Sequence, residues 1–319
     1  MRPENRAVST VVDVALALLL VTASIATMVV FLGEDDQPTE TRNPDELAQT
    51  LSATTITAEY SLESLENSDQ FEDEEYYEYS RRNHGTAVEL VADATVRSVT
   101  FDTPGDRTPL NEGSEPYVEA VEAGVNERVT GTNENAHVVA LWRPYNRSDI
   151  QGRIEAGPTP PGDADVSTTT IRVDSGMDRL TDARIERAYD RGGKRAVATL
   201  VAETIVDGQF PPTATQLAIE KRGFQGSLAR YRYKRMRNIL QSYPETSSFK
   251  YSTGPYGAPV YERDVADAAQ ANEEVVDELE EIVLEELDDK YFDEMDTVTG
   301  QTLADAIQTG HVVVVVRTW

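Results

Sequence analysis

Residues 8–32, VSTVVDVALALLLVTASIATMVVFL, limit what this chain can fold into more than any other stretch. Asp13 is their only ionisable residue. Coiled as a helix, these 25 residues rise about 37 Å, which covers a bilayer core of about 30 Å with some tilt. A secretory signal carries a shorter apolar region and then a small-residue cut site. Here Gly33-Glu34-Asp35-Asp36 follows without an A-x-A pattern, so the run is expected to stay on the chain as a transmembrane helix. Arg2 and Arg6 precede the span, whereas Glu34, Asp35 and Asp36 follow it. The positive-inside tendency then puts the N-terminus in the cytoplasm and the bulk of the chain outside the cell.

A carboxylate inside a span costs roughly 2.5–3.5 kcal/mol at the bilayer centre, and usually implies a partner. Asp13 lies only about one to two turns inside the boundary, where water and headgroups reach it. Both readings stand for it: an interfacial residue without a partner, or a paired group that helps assembly. Ala15, Ala17, Ala23, Ser24 and Ala26 supply the small residues that lateral helix packing in lipid favours.

The start of the run carries a resemblance. Arg6-Ala7-Val8-Ser9-Thr10-Val11, followed by the long apolar helix, resembles the class III signal of archaeal type IV pilins, with Thr10 where haloarchaeal members often have proline. That resemblance implies cleavage between Ala7 and Val8 by a prepilin peptidase, with the apolar helix kept on the mature chain. Asp13 falls close to where many bacterial pilins carry a glutamate that neutralises a neighbour's amino group. Further along, HGTAVELVADATV (84–96), GRIEAGPTPPGDADV (152–166), LARYRYKRMRNIL (228–240) and HVVVVVRTW (311–319) resemble an uncharacterised haloarchaeal family of pilin-like membrane proteins. These are packing and turn patterns, so the likeness implies kinship and supplies no catalytic role.

Composition fits such a source. The chain has 57 acidic against 29 basic residues, a formal net charge of −28, and lysine only at 194, 221, 234, 250 and 290. Molar salt shortens the Debye length to roughly 3 Å, which makes such a surface tolerable. Salt adaptation is thus the plain reading, with a cation-binding surface as the alternative. The same balance argues against a nucleic-acid partner, because neutralising phosphates needs a basic surface. Cysteine is absent, which excludes disulfides, thiol nucleophiles and cysteine-type zinc sites.

Beyond the 1–7 leader and the 8–32 span, residues 33–52 are expected to be a linker, since GEDDQPTETRNPDE is polar and carries two prolines. An α+β ectodomain is expected after it, in two parts joined by the Pro/Gly-rich EAGPTPPGDADV: an α+β subdomain at 53–154, the connection at 155–166, and an α-rich subdomain at 167–319 ending in a strand. Alternation of β-branched with polar residues predicts a strand at 53–62, and further strands are expected at 136–145 and 167–173. Three-and-four spacing predicts helices at 85–99 and 115–129. Further helices are expected at 178–206, 213–221 and 224–241, the first with Ile185, Tyr189, Gly192, Ala196 and Leu200 on one face. Residues 263–292 form the clearest amphipathic pattern, with Val276, Leu279, Val283 and Leu287 in a stripe opposite Glu and Asp. The basic helix around 230–238 is read as pairing with it in preference to gripping nucleic acid or anionic lipid. ENSDQFEDEEYYEYSRRN (66–83) is read as an exposed loop, with a cation or peptide site as its sharper alternative, and HVVVVVRTW as a fully buried strand.

Catalytic patterns are lacking. His84, His137 and His311 are the only histidines, and there is no H-E-x-x-H, G-x-S-x-G or phosphate-binding glycine loop. Ser247 and Lys250 fit S-x-x-K, a match expected by chance in a chain this long. Asn146-Arg147-Ser148 is the single N-x-[ST] sequon and marks Asn146 as a glycosylation candidate. The expectation is a non-enzymatic, cofactor-free, pilin-like single-span surface protein. Its expected partners are the bilayer and other pilin-like or secretion-system membrane proteins. The alternative is a membrane-anchored extracytoplasmic binding or sensing module.

Overall fold

A computed structural model describes residues 43–66, 71, 79–103, 106–111, 113–132, 135–221, 223–241 and 267–319. The 8–32 span, with Ala7, Val8 and Asp13, lies outside the described residues, as do Ser247 and Lys250.

The described chain is mixed α+β. Pro44–Ala53 (α1) leads to an antiparallel ribbon of Thr55–Ser61 (β1) and Ser80–Thr86 (β2), then to Ala87–Arg97 (α2). A second ribbon, Thr100–Thr103 (β3) with Asp106–Pro109 (β4), precedes Glu115–Thr132 (α3). Ala136–Trp142 (β5), Gly152–Ala156 (β6) and Ser167–Asp174 (β7) are followed by the helices. These are Asp182–Gln209 (α4), Pro212–Lys221 (α5), Phe224–Gln241 (α6), Ala268–Leu287 (α7) and Gly300–Ala306 (α8), and His311–Thr318 (β8) ends the order.

The strands β6-β5-β8-β7 form one antiparallel sheet in that order. This corrects the expected division at 155–166. That segment carries the chain from one edge strand to the other, and the last strand inserts between β5 and β7. Asn43–Trp319 is accordingly one compact unit. The linker expectation is corrected as well, because Pro44 to Ala53 is helical. Asn43 caps that helix by accepting from Asp45 N at 3.1 Å, and Leu47, Ala48 and Leu51 are buried.

Helices α1, α2 and α3 pack on the sheet, while α4 packs on α7 and α8, and α5 and α6 pack on α7. In β8, Val312, Val314 and Val316 face the core, whereas Val313, Val315 and Arg317 are half-exposed. The expectation of burial on both faces therefore fails. Five consecutive valines suit a central strand, but among the described residues helices cover only one of its faces. The register extends the open face across the sheet, aligning Arg153-Leu141-Val313-Arg172 in one row and Glu155-Val139-Val315-Thr170 in the next.

Local sequence explains the helices that pack here. Thr86 and Glu89 form a reciprocal capping box at the start of α2. Val121, Val125 and Val129 bury one side of α3 at spacings of four. In α4 the expected continuous face is broken. Gly192 and Gly193 are non-helical, with φ/ψ of −145°/16° and 63°/−150°, so α4 is two helices joined at a kink. The second value belongs to a region open essentially to glycine alone. Beyond the kink the buried set widens to Val197, Ala198, Leu200, Val201, Ala202, Thr204, Ile205 and Val206, of which only Leu200 belongs to the expected face.

The exposed-loop reading of 66–83 is also corrected where residues are described. Phe71 and Tyr79 are buried with Leu62, Leu65, Phe224, Leu228 and Tyr231 in a small aromatic cluster, and residues 80–86 form β2. The Phe71 and Phe224 rings lie 5.2 Å apart, and Tyr79 meets Phe224 edge-on at 5.1 Å.

Strand β6 approaches α2 so closely that a Cβ on Gly152 would sit 1.9 Å from the Thr95 carbonyl oxygen. Neither backbone segment can give way cheaply. Gly152→Ala is therefore expected to destabilise the domain by about 1–3 kcal/mol, measured as a lowered denaturant midpoint at constant salt.

Candidate functional site

The open face of the sheet ends, at the start of β8, in a groove of two neighbouring cavities. The larger, about 530 Å³, is lined by Arg179, Thr181, Asp182, Gln308, Gly310 and His311 among others. The smaller, about 180 Å³, lies between Leu141, Arg143, Asn146, Arg147 and Val313, and shares Gln308 and His311 with the first.

Backbone chemistry fixes the walls. The Thr309 carbonyl accepts from Trp142 Nε1 at 2.9 Å and from Ser175 Oγ at 2.8 Å, while Thr309 Oγ1 donates to the Asp178 carbonyl at 2.9 Å. Asp174 Oδ1 accepts from Gly176 N at 2.7 Å, and this closes the turn after β7. Gly310 lets that turn lie against β8, since a Cβ there would meet Arg179 Cα at 2.9 Å. Arg179 is thereby placed beside His311 in the cavity wall, and Arg172, outside both linings, projects from the neighbouring strand on the same face. Burial, with the Arg172 and Arg179 cations, holds the His311 imidazole below its ordinary value, and its Nε2 is buried without a hydrogen-bond partner. On the other side, Arg143 donates twice to Gln151 Oε1, at 2.7 and 3.2 Å, and Gln308 Nε2 donates to Asn146 Oδ1 at 2.6 Å.

A single carboxylate anchors the 143–150 loop that forms this second wall. Glu286 is 5% exposed, yet its Oε2 accepts from Tyr145 Oη at 2.6 Å, Ser148 Oγ at 2.8 Å and Asp149 N at 3.2 Å. Burial pushes its carboxyl above the usual carboxylate range, and the bonds from Tyr145 and Ser148 oppose that shift. Burial, reinforced by Glu286, likewise drives the Tyr145 phenol well upward. Around this node Lys290 pairs with Asp149 at 3.1 Å, Tyr291 Oη donates to the Asn146 carbonyl at 2.6 Å, and Arg147 pairs with Glu294 over the Tyr291 ring. Arg147 has φ 68°, a left-handed conformation uncommon outside glycine.

Residues singled out in the sequence fall elsewhere or take other parts. Asn146 is exposed, but Ser148 of its sequon is buried with its hydroxyl given to Glu286. His84 meets Thr57 Oγ1 at 3.0 Å on the β1–β2 ribbon, and His137 meets Glu155 at 3.2 Å. Among the described residues no group of three His, Asp or Glu side chains is placed to hold a metal ion. The basic helix α6 does pack on the acidic α7, with Arg237 buried and paired to Glu274 at 2.7 Å. Arg230 donates to the Ile219 carbonyl at 3.0 Å, so that face is largely spent inside the domain. Lys194, beside the two glycines, pairs with Asp288. The sequence reading missed Glu286 and the groove altogether. The one available signal was a glutamate inside the apolar stripe of α7, one turn after Ile282.

Fold and site together define a one-unit α+β domain whose four-stranded antiparallel sheet leaves one face open, with a basic groove at its end. The chain belongs to DUF7284, a family of unknown function whose model matches residues 12–319. No curated protein and no solved structure matches it. Among the described residues no helix is long and apolar enough to cross a membrane.

Glu286→Ala strands the buried Tyr145 and Ser148 hydroxyls and is expected to cost on the order of 3 kcal/mol. A pH effect has a definite sign. With its raised value, folded Glu286 keeps a proton that the unfolded chain has already lost, so its contribution falls as pH rises from the ordinary carboxylate range through the raised value. The stability difference between wild type and Glu286→Gln should therefore shrink or reverse with rising pH in that window, read from paired denaturation curves.

Proposed function

We propose that this is a pilin-like single-span surface protein of a halophilic archaeon, a subunit or accessory of a type IV pilus-like or secretion assembly. The observation that carries the reading is the apolar run 8–32, interrupted only by Asp13, set ahead of a compact unit that begins at Asn43. The Arg6-Ala7-Val8-Ser9 start supports processing between Ala7 and Val8. Val8–Leu32 then carries anchoring and lateral assembly, Asp13 pairs with a group on a neighbouring helix, and residues 43–319 are displayed outside the cell. An excess of carboxylates over lysine and arginine supports a high-salt setting.

A second reading, a membrane-anchored extracytoplasmic binding or sensing module, is favoured by the groove at the start of β8. The two separate in one experiment. Replacing residues 8–32 with an unrelated span should abolish co-isolation with partner membrane proteins if the helix assembles, and leave function intact if it only anchors.

Processing is tested directly. Mass spectrometry of the purified chain should find an N-terminus at Val8, in the membrane fraction. A chain that begins at Met1 overturns processing, and a chain recovered without detergent in the soluble fraction overturns anchoring.

A further inference from the structure

The groove has a feature that its structural role leaves unexplained. Carboxylates outnumber cations about two to one in this chain, and many described arginines are paired: Arg97 with Asp93, Arg153 with Glu155, Arg195 with Glu280 and Glu281, Arg237 with Glu274. Arg172 and Arg179 are not. Both are exposed on the His311 side of the sheet, and among the described residues neither forms a hydrogen bond or an ion pair. Both cations act on one imidazole, and no ion pair in the fold requires their charge.

The surroundings complete a polar pocket. His311 Nε2 has no partner, Gln308 lies between the two cavities, and α4 opens onto the groove at Asp182. Its N-cap, Thr181, makes no side-chain cap bond, and the first segment of α4 runs ten residues before the break at Gly192. Amides of an uncapped first turn favour negative charge. Three carboxylates border the site. Asp174 is engaged with Gly176 N and Asp178 lies 3.9 Å from Arg184, while Asp182 lines the cavity itself. Asp174 also faces His311 across the strands, so an anion must sit towards Arg179 and Arg172, away from both Asp174 and Asp182.

We propose that this groove binds a small oxyanion, a carboxylate or phosphate group, held by the Arg172 and Arg179 guanidinium groups with His311 at its back. Planar guanidinium forks match both oxyanions with two donors each. The cavity of about 530 Å³ admits a molecule of metabolite size carrying such a group. The proposal is independent of the membrane reading, since it rests only on residues of the 43–319 unit.

The test is titration of the full chain in detergent, at fixed potassium chloride and neutral pH, with inorganic phosphate in one arm and succinate in the other. Saturable heat or a rise in melting temperature with either probe is expected, and the stronger arm identifies the ligand chemistry. Arg172→Gln and Arg179→Gln should each weaken binding at least tenfold while leaving the unliganded melting temperature unchanged, because both side chains are exposed. Asp182→Asn should strengthen it several-fold by removing a like charge from the wall. Absence of saturable binding in both arms overturns the proposal. So does equal affinity in wild type and both arginine variants, or a weakened Asp182→Asn.

Discussion

Everything in the described domain depends on β8 lying between β5 and β7. Those two strands are separated in sequence by β6 and the proline-rich crossing, and they share no hydrogen bond with each other. The last strand alone ties them into one sheet, through a register of Val313 with Leu141 and Arg172, and Val315 with Val139 and Thr170. Its even-numbered valines bring the sheet into the same apolar core as the helices. Burial of that core, at roughly 25 cal/mol per Å² of apolar area, is the main favourable term that can offset chain entropy in a domain without disulfides.

Covering one face of the sheet and not the other determines where recognition can occur. The helical side is dry and needs shape-fitting residues such as Gly152. The open side keeps Val313 and Val315 half-exposed, and it gathers polar residues from both edge strands. Where β8 begins, strand order, the turn after β7 and the start of α4 converge, so side chains from distant parts of the sequence meet. Glu286 performs the matching task on the far wall. One buried acceptor holds three donors of the 145–149 loop, and that loop carries Arg147 and Asn146 to the groove's edge.

Much of this was legible in the sequence. Elements α2, α3 and α7 follow from three-and-four spacing and β1 from alternation of β-branched with polar residues, because each presents a repeated pattern to an apolar partner, and α6, β5 and β7 were also expected where they fall. The α6–α7 pairing followed from opposite charge. What stayed hidden depends on contacts distant in sequence. A Pro/Gly-rich crossing looks like a domain boundary until β8 is known to pair on both sides of it. Gly192-Gly193 fits a helical face by spacing, and only the positive φ at Gly193 breaks it. Phe71 and Tyr79 sit in an acidic tract whose composition suggests exposure, yet Phe224 and Tyr231 give them an apolar partner. The groove was invisible for the same reason: Arg172, Arg179 and His311 belong to no motif and meet only because the sheet brings them together.

A basic groove on a chain with net charge −28 looks unfavourable for an anion, and the resolution lies in range. At low ionic strength the summed field of the carboxylates would repel an approaching anion over many ångströms. At molar salt the Debye length falls to roughly 3 Å, so the distant carboxylates drop out and only groups in contact remain. The balance then turns on Arg172, Arg179 and His311 against Asp174 and Asp182. An acidic exterior and an anion-binding recess are compatible under those conditions, and raising ionic strength by itself should improve access to the recess until chloride begins to compete for it.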